Sequence, residues 1–127
     1  MTVLADFVVV NSDPATAQDG KWSSGLFETG GRLTRNAAGV EQDNAFITVT
    51  LTSPQGGQDV AVRVIVNDHP LPVFIEVKAN SQRTSVIAFA ASFLNGATGH
   101  NNRIELHSRG ERPFIVLHVI CHFRQNS

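Results

Sequence analysis

Tyrosine is missing from this 127-residue chain, and cysteine, methionine and tryptophan occur once each. A single Cys121 excludes an internal disulfide and reads as a small core hydrophobe in an apolar strand. The only methionine is Met1, so a cupredoxin-type copper site with a Met after its Cys and His ligands is excluded. Tyr and Trp are the aromatics that join a ring to a polar handle at binding surfaces. Here eight Phe, mostly packing residues, supply the rings instead. Charged residues are scarce as well, 17% against a usual value of about 25%. So low a charge content implies that part of the outside is covered.

Long apolar runs are lacking, and none approaches a membrane span. There is no helical stripe, heptad, internal repeat or phosphate-binding loop, and Gly30-Gly31 lacks the spacing of a dinucleotide fingerprint. Ser23-Ser24-Gly25 is not a nucleophile elbow. No basic stretch precedes the first apolar residues. A cytoplasmic chain is therefore expected, or a secreted one without a visible signal peptide. The length is that of one domain, 1–127.

The net charge of −1 makes no case for nucleic acid or membrane. The halves differ, however. Residues 1–77 hold four basic and nine acidic side chains, a net of −5; residues 78–127 hold six and two, a net of +4. One reading is a mixed surface. The sharper one is a basic face near Arg103, Arg109, Arg112 and Arg124 that meets an anion or an acidic neighbour.

What is present is alternation with period two. Ile47, Val49 and Leu51 share one face of a strand, and Thr48, Thr50 and Thr52 share the other. Val60, Val62, Val64 and Val66 repeat the pattern after the turn Ser53-Pro54-Gln55-Gly56-Gly57-Gln58. A turn at Asn67-Asp68-His69-Pro70 leads to a strand with Val73, Ile75 and Val77 inward. Another at Ala79-Asn80-Ser81 leads to one with Ile87 and Phe89 inward. These four strands predict an antiparallel meander. Further on, Ile104 and Leu106 mark a short strand, joined by a hairpin at 108–113 to the last strand, Phe114 to Phe123.

That last strand and Val3–Val10 are apolar on both faces. Phe114, Val116, His118, Ile120 and His122 line one face of the last strand, which must be central or pack on a partner subunit. Residues 11–45 are irregular, with short strands expected near Trp22–Phe27 and Gly31–Arg35. About eight strands separated by turns predict an all-β, antiparallel two-sheet β-sandwich, most simply a jelly roll.

Histidine is the best raw material for chemistry. His118 and His122 share a strand face but lie roughly 13 Å apart by the usual rise, too far to share one ion. Glu105 and His107 are spaced i, i+2. With one His of the final strand they would form a facial triad, the basis for a small metal-dependent enzyme. Such an enzyme would need a cleft where Glu105, His107 and a loop acid converge. Asp13, Asp19, Asp43, Asn44 and Asp68 supply oxygen ligands in loops, so calcium is a possible cofactor; no other is implied. Turn chemistry explains these residues equally well.

One stretch has a wider likeness. Val66-Asn67-Asp68, then Ser85 to Leu94, a Gly-containing loop, and Asn102-Arg103-Ile104-Glu105-Leu106 resemble the galactose-binding-like jelly rolls. In that pattern an Asn satisfies backbone groups in a turn, and the Ile and Leu point into the core. The loop Gly96–Asn101 is longer here, and nothing matches a sugar-contacting motif. The resemblance implies a sandwich and raises carbohydrate binding as an expectation.

The planar amides, carboxylate and imidazoles that suit a sugar are Asn67, Asp68, His69, His100, Asn101 and Asn102. Trp22 is the one candidate stacking platform, though a lone Trp in a β domain is more often core. Three functions follow. The first is a non-catalytic, lectin-like binding module that acts as a homo-oligomer. The second is a self-assembling structural subunit without a small ligand. The third is the metal-dependent enzyme.

Overall fold

The computed structural model describes residues 3–27, 45–54, 57–90, 93–94 and 101–126, with side chains for those of them between 7 and 122. Nine strands form among these residues. They are β1 (Val3–Asn11), β2 (Ala15–Ala17), β3 (Lys21–Ser23), β4 (Ala45–Thr52), β5 (Val60–Val66), β6 (His69–Val77), β7 (Gln82–Phe89), β8 (Ile104–Ser108) and β9 (Phe114–Asn126). One sheet runs β1-β9-β4-β7, with β2 also paired to β9; the other runs β3-β8-β5-β6. Both are antiparallel, and together they form a two-sheet β-sandwich. No helix among the described residues is long and apolar enough to cross a membrane.

The core comes from the alternation. Ile47, Val49 and Leu51 face Val62, Val64, Val66, Ile104 and Leu106 across the two layers, all fully buried. Cys121 lies among them, and burial pushes its thiol up to about 12.

The connections differ from the expected meander. β4 and β5 lie in different sheets, and β4 pairs instead with β7; only β5 and β6 form a hairpin. Likewise, the segment after β8 is a crossover to the opposite sheet rather than a hairpin, and it contains a 3-10 turn at Arg109–Glu111. Strands with one apolar face satisfy either wiring, because alternation fixes the buried side and not the partner.

Two bulges shift faces. In β9 the register slips beside β4, with Leu51 opposite Val116 but Thr50 opposite His118. Phe114 and Val116 therefore point inward and are 0% exposed, as are Val119 and Cys121. The expected single face Phe114, Val116, His118, Ile120, His122 is thus corrected. Only His118, Ile120 and His122 stand outside. In β6, Ile65 pairs with Pro70 but Arg63 with Phe74, so Leu71, Pro72 and Val73 stand opposite Val64 alone. Val73, expected inward, is 52% exposed. Pro70 and Pro72 cannot donate to a ladder, and β6 is an edge strand, which is where such residues are tolerated.

Candidate functional site

The hairpin end was the expected ligand site. Asn67 and Asp68 both have positive φ, 46° and 67°, between the paired residues Val66 and His69. This suits a two-residue turn of the type I′ kind, where Asn and Asp are favoured. The Asn67 amide is engaged inside the protein. Its Nδ2 donates to Phe93 O and to Asn102 Oδ1, each at 2.8 Å, and its Oδ1 accepts from Arg103 N at 2.8 Å. Asn102 is 0% exposed and bridges to Phe27. Both side chains serve as internal ties, and Asn102, fully buried, presents no surface to a ligand. Asp68, His69 and Asn101 stay exposed, with His69 stacked on Phe93 at 4.3 Å. Trp22 is half-buried and packs against the core from edge strand β3. His100 lies outside the described residues, as do Gly31–Arg35, Asp43 and Asn44.

The expected metal triad does not assemble. Glu105 Oε1 and His107 Nε2 meet at 3.8 Å on the outer side of β8. The final strand belongs to the opposite sheet, so His118 and His122 face away from them. Among the described residues no three His, Cys, Asp or Glu side chains come together to hold a metal ion. Asp19 instead accepts from Lys21 N at 3.2 Å, as a turn residue does.

Geometry brings together a different set. A cleft of about 320 Å³ lies between the edge of β5-β6 and the 3-10 turn, lined by Asp59, Ala61, Glu76, Lys78, Arg109 and Arg112. Ala61 is the apolar side chain that faces it; Val60 and Val77 also border it, but their side chains are turned into the core. Part of the polar rim is internally tied. Lys78 Nζ lies 3.6 Å from Asp59 Oδ2, and Arg112 Nη1 donates to Asp59 O at 2.7 Å. Asp59 Oδ1 accepts from Ala79 N at 2.8 Å. That backbone bond holds the Asp59 carboxyl below its ordinary value of 3.8. Some burial opposes it, and Lys78 and then Arg112 add to it. By contrast, no hydrogen bond or ion pair from the described residues occupies the Glu76 carboxylate or the Arg109 guanidinium.

The turn that carries Arg109 and Arg112 is built on Gly20. Gly20 has φ +79°, and a Cβ there would lie 2.6 Å from Glu111 backbone and against Ser108 Oγ. Ser108 N donates to Gly20 O at 2.8 Å, and its hydroxyl donates to Arg112 O at 2.6 Å. Beside the cleft, Arg63 and Arg109 both sit over Phe74, with guanidinium carbons 4.5 and 4.2 Å from the ring centroid.

Arg109 and Arg112 were legible as part of a basic face. Phe74 was not, because continuing the register from the hairpin turn puts Arg63 opposite Pro72, and only the β6 bulge brings Phe74 there. Asp59, Glu76 and Lys78 carry no motif. Their meeting depends on which edge the 109–112 crossover passes.

No protein-family model matches the chain, and no curated protein matches it in sequence. Two of the solved structures similar to it are the following. One is the EclA C-terminal domain, described as a sugar-binding protein, at 16% identity and TM-score 0.49, covering 94% of this chain and 79% of that one. The other is a CBM36 carbohydrate-binding module in complex with calcium and xylotriose, at 9% identity and TM-score 0.45, covering 94% and 98%. Neither likeness is close enough to carry an argument about function.

Proposed function

We propose that the chain is a non-catalytic carbohydrate-binding module whose ligand occupies the cleft between β6 and the Arg109–Glu111 turn. The observation that carries this reading is that two planar groups, Glu76 and Arg109, line one cleft and have no hydrogen-bond or ion-pair partner among the described residues. A carboxylate accepts from vicinal hydroxyls and a guanidinium donates to them, both in bidentate fashion. Ala61 and the aliphatic stems of Lys78 and Arg112 accommodate the C–H side of a sugar ring. The volume of about 320 Å³ is at the small end of ligand sites, as suits one or two sugar units. Asp68, His69 and Asn101 form the alternative contact set. Calorimetric titration with a panel of neutral and acidic oligosaccharides tests the proposal. Saturable binding that Glu76→Gln and Arg109→Ala abolish supports it; heatless titration across the panel refutes it. No three His, Cys, Asp or Glu side chains cluster among the described residues, and calcium enters no step of this reading.

A second reading concerns assembly. The outer face of β1-β9-β4-β7 presents Phe7, Val9, Phe46, Val86 and Ile120 together, with Phe7 57% and Val86 64% exposed. His118, His122, Thr48 and Thr84 complete it, and no formal charge stands among its described outward side chains. We infer that a second copy of this chain covers this face. An uncharged sheet face packs on itself about a twofold axis without like-charge repulsion, whereas a charged partner finds nothing here to pair with. A homo-oligomer would also raise the avidity of a weak module.

A further inference from the structure

Across the outer side of the second sheet, the pairing register aligns Lys21 with His107, His107 with Arg63, and Arg63 with Phe74. Residues directly opposite in an antiparallel pair share a face, so these four side chains form one row. Arg109 extends the row over Phe74, within reach of the cleft. Three permanent cations and one imidazole thus stand together, and Glu105, 3.8 Å from His107, is the acid beside them. Glu76 lies two residues along β6 from Phe74, opposite Ala61.

Arg63 is the informative member. Its Nε is buried and has no hydrogen-bond partner, and no carboxylate among the described residues pairs with its guanidinium. Buried charged donors are normally satisfied. Among the described residues the group is held by the Phe74 ring, next to a second guanidinium on the same ring, which like-charge repulsion disfavours. An anion between the two would relieve that repulsion and accept from both forks.

We propose that this row selects an anionic sugar chain, one bearing carboxylate or sulfate groups, with the anion at Arg63 and Arg109 and the adjoining hydroxyls in the cleft. The proposal rests on the carbohydrate reading of that cleft and names its substrate class. Arg109 serves both parts, donating to the anion on one side and to a hydroxyl on the other. Lys21 and His107 continue the track toward β3 and accommodate the next anionic unit of a chain. Neutral chains gain nothing from the row and are bound less tightly.

The test is calorimetric titration of the whole chain with polygalacturonate fragments, sulfated dextran fragments, a neutral galactan and single-stranded DNA. Each is run at low and at high salt. Binding of one or both anionic glycans at least about tenfold tighter than galactan, weakened by salt and by Arg109→Ala, is the expected result. The polygalacturonate and sulfated arms separate the carboxylate from the sulfate source. Arg63→Lys keeps the charge but loses the fork and is expected to weaken anionic binding alone; unchanged melting shows that it folds. Equal, salt-insensitive binding of galactan overturns the inference and leaves the carbohydrate reading standing. DNA binding as tight as either glycan overturns it in favour of a general polyanion surface. Binding of none of the four overturns both.

Discussion

Asn67 and Asn102, 35 residues apart in sequence, are joined side chain to side chain at 2.8 Å and tie the β5-β6 turn to the start of β8. The Asn67 amide also reaches Phe93 O and Arg103 N, so one side chain ties its turn to two other chain segments. Replacing it with Ala removes the acceptor of Arg103 N and the hydrogen bond to Asn102 Oδ1, and puts a poor residue at positive φ. Asn67→Ala is expected to lose about 2–3 kcal/mol in urea unfolding. Sugar affinity of the folded fraction should be unchanged, since Asn67 does not reach the cleft. Lost binding with unchanged stability would return Asn67 to the ligand site.

Gly20 links stability to the site. A side chain there meets Ser108 and Glu111 at once and strains a φ of +79°. Gly20→Ala is expected to lower stability by about 1–3 kcal/mol and to weaken sugar binding by displacing Arg109 and Arg112. Thermal melting and titration of the same variant check both effects. A stable variant with full affinity would show that the turn is not held by this contact.

His122 predicts a pH dependence. Its ring stacks on Phe46 at 4.4 Å, and its Nε2 lies 3.3 Å from Thr48 Oγ1. Burial holds its pKa below the ordinary 6.5. Between 6.5 and the lower folded value, the unfolded chain takes up a proton that the folded chain refuses. This contribution is therefore complete above 6.5 and is lost as pH falls through that window. Urea unfolding at pH 7.5 and 5.5 should show lower stability in acid, and His122→Phe should remove part of the difference. A variant as acid-sensitive as the parent would assign the effect elsewhere.

Self-association through the outer face of β1-β9-β4-β7 predicts that Phe46→Glu yields monomers, with sugar affinity per chain retained. Light scattering at micromolar concentration reads the mass. A monomeric parent protein would refute the assembly.

Much of the fold was legible in the sequence, and the reasons are physical. Alternation named the buried valines of β5, the core face of β4 and the pair Ile104 and Leu106, because a half-buried strand advertises its inner side. Sheet partners were not legible. The same pattern fits a meander or a chain that crosses between layers at β4-β5, β6-β7, β7-β8 and β8-β9. Bulges were equally silent, and each moved residues that mattered: one buried Phe114 and Val116, the other brought Phe74 to Arg63. For the site, the sequence read the amide-rich turn as a ligand contact, whereas Asn67 and Asn102 bind each other. The basic half of the chain was visible as charge. Its focus on Phe74 required the register.

The central claim is a sugar in the cleft at Glu76 and Arg109. Amide chemical-shift mapping during titration with an oligosaccharide that binds tests it most directly. Shifts centred on Ala61, Glu76 and Lys78, and on Arg109 to Arg112, are the predicted result. Shifts centred on Asp68, His69 and Asn101, with the cleft silent, would contradict it.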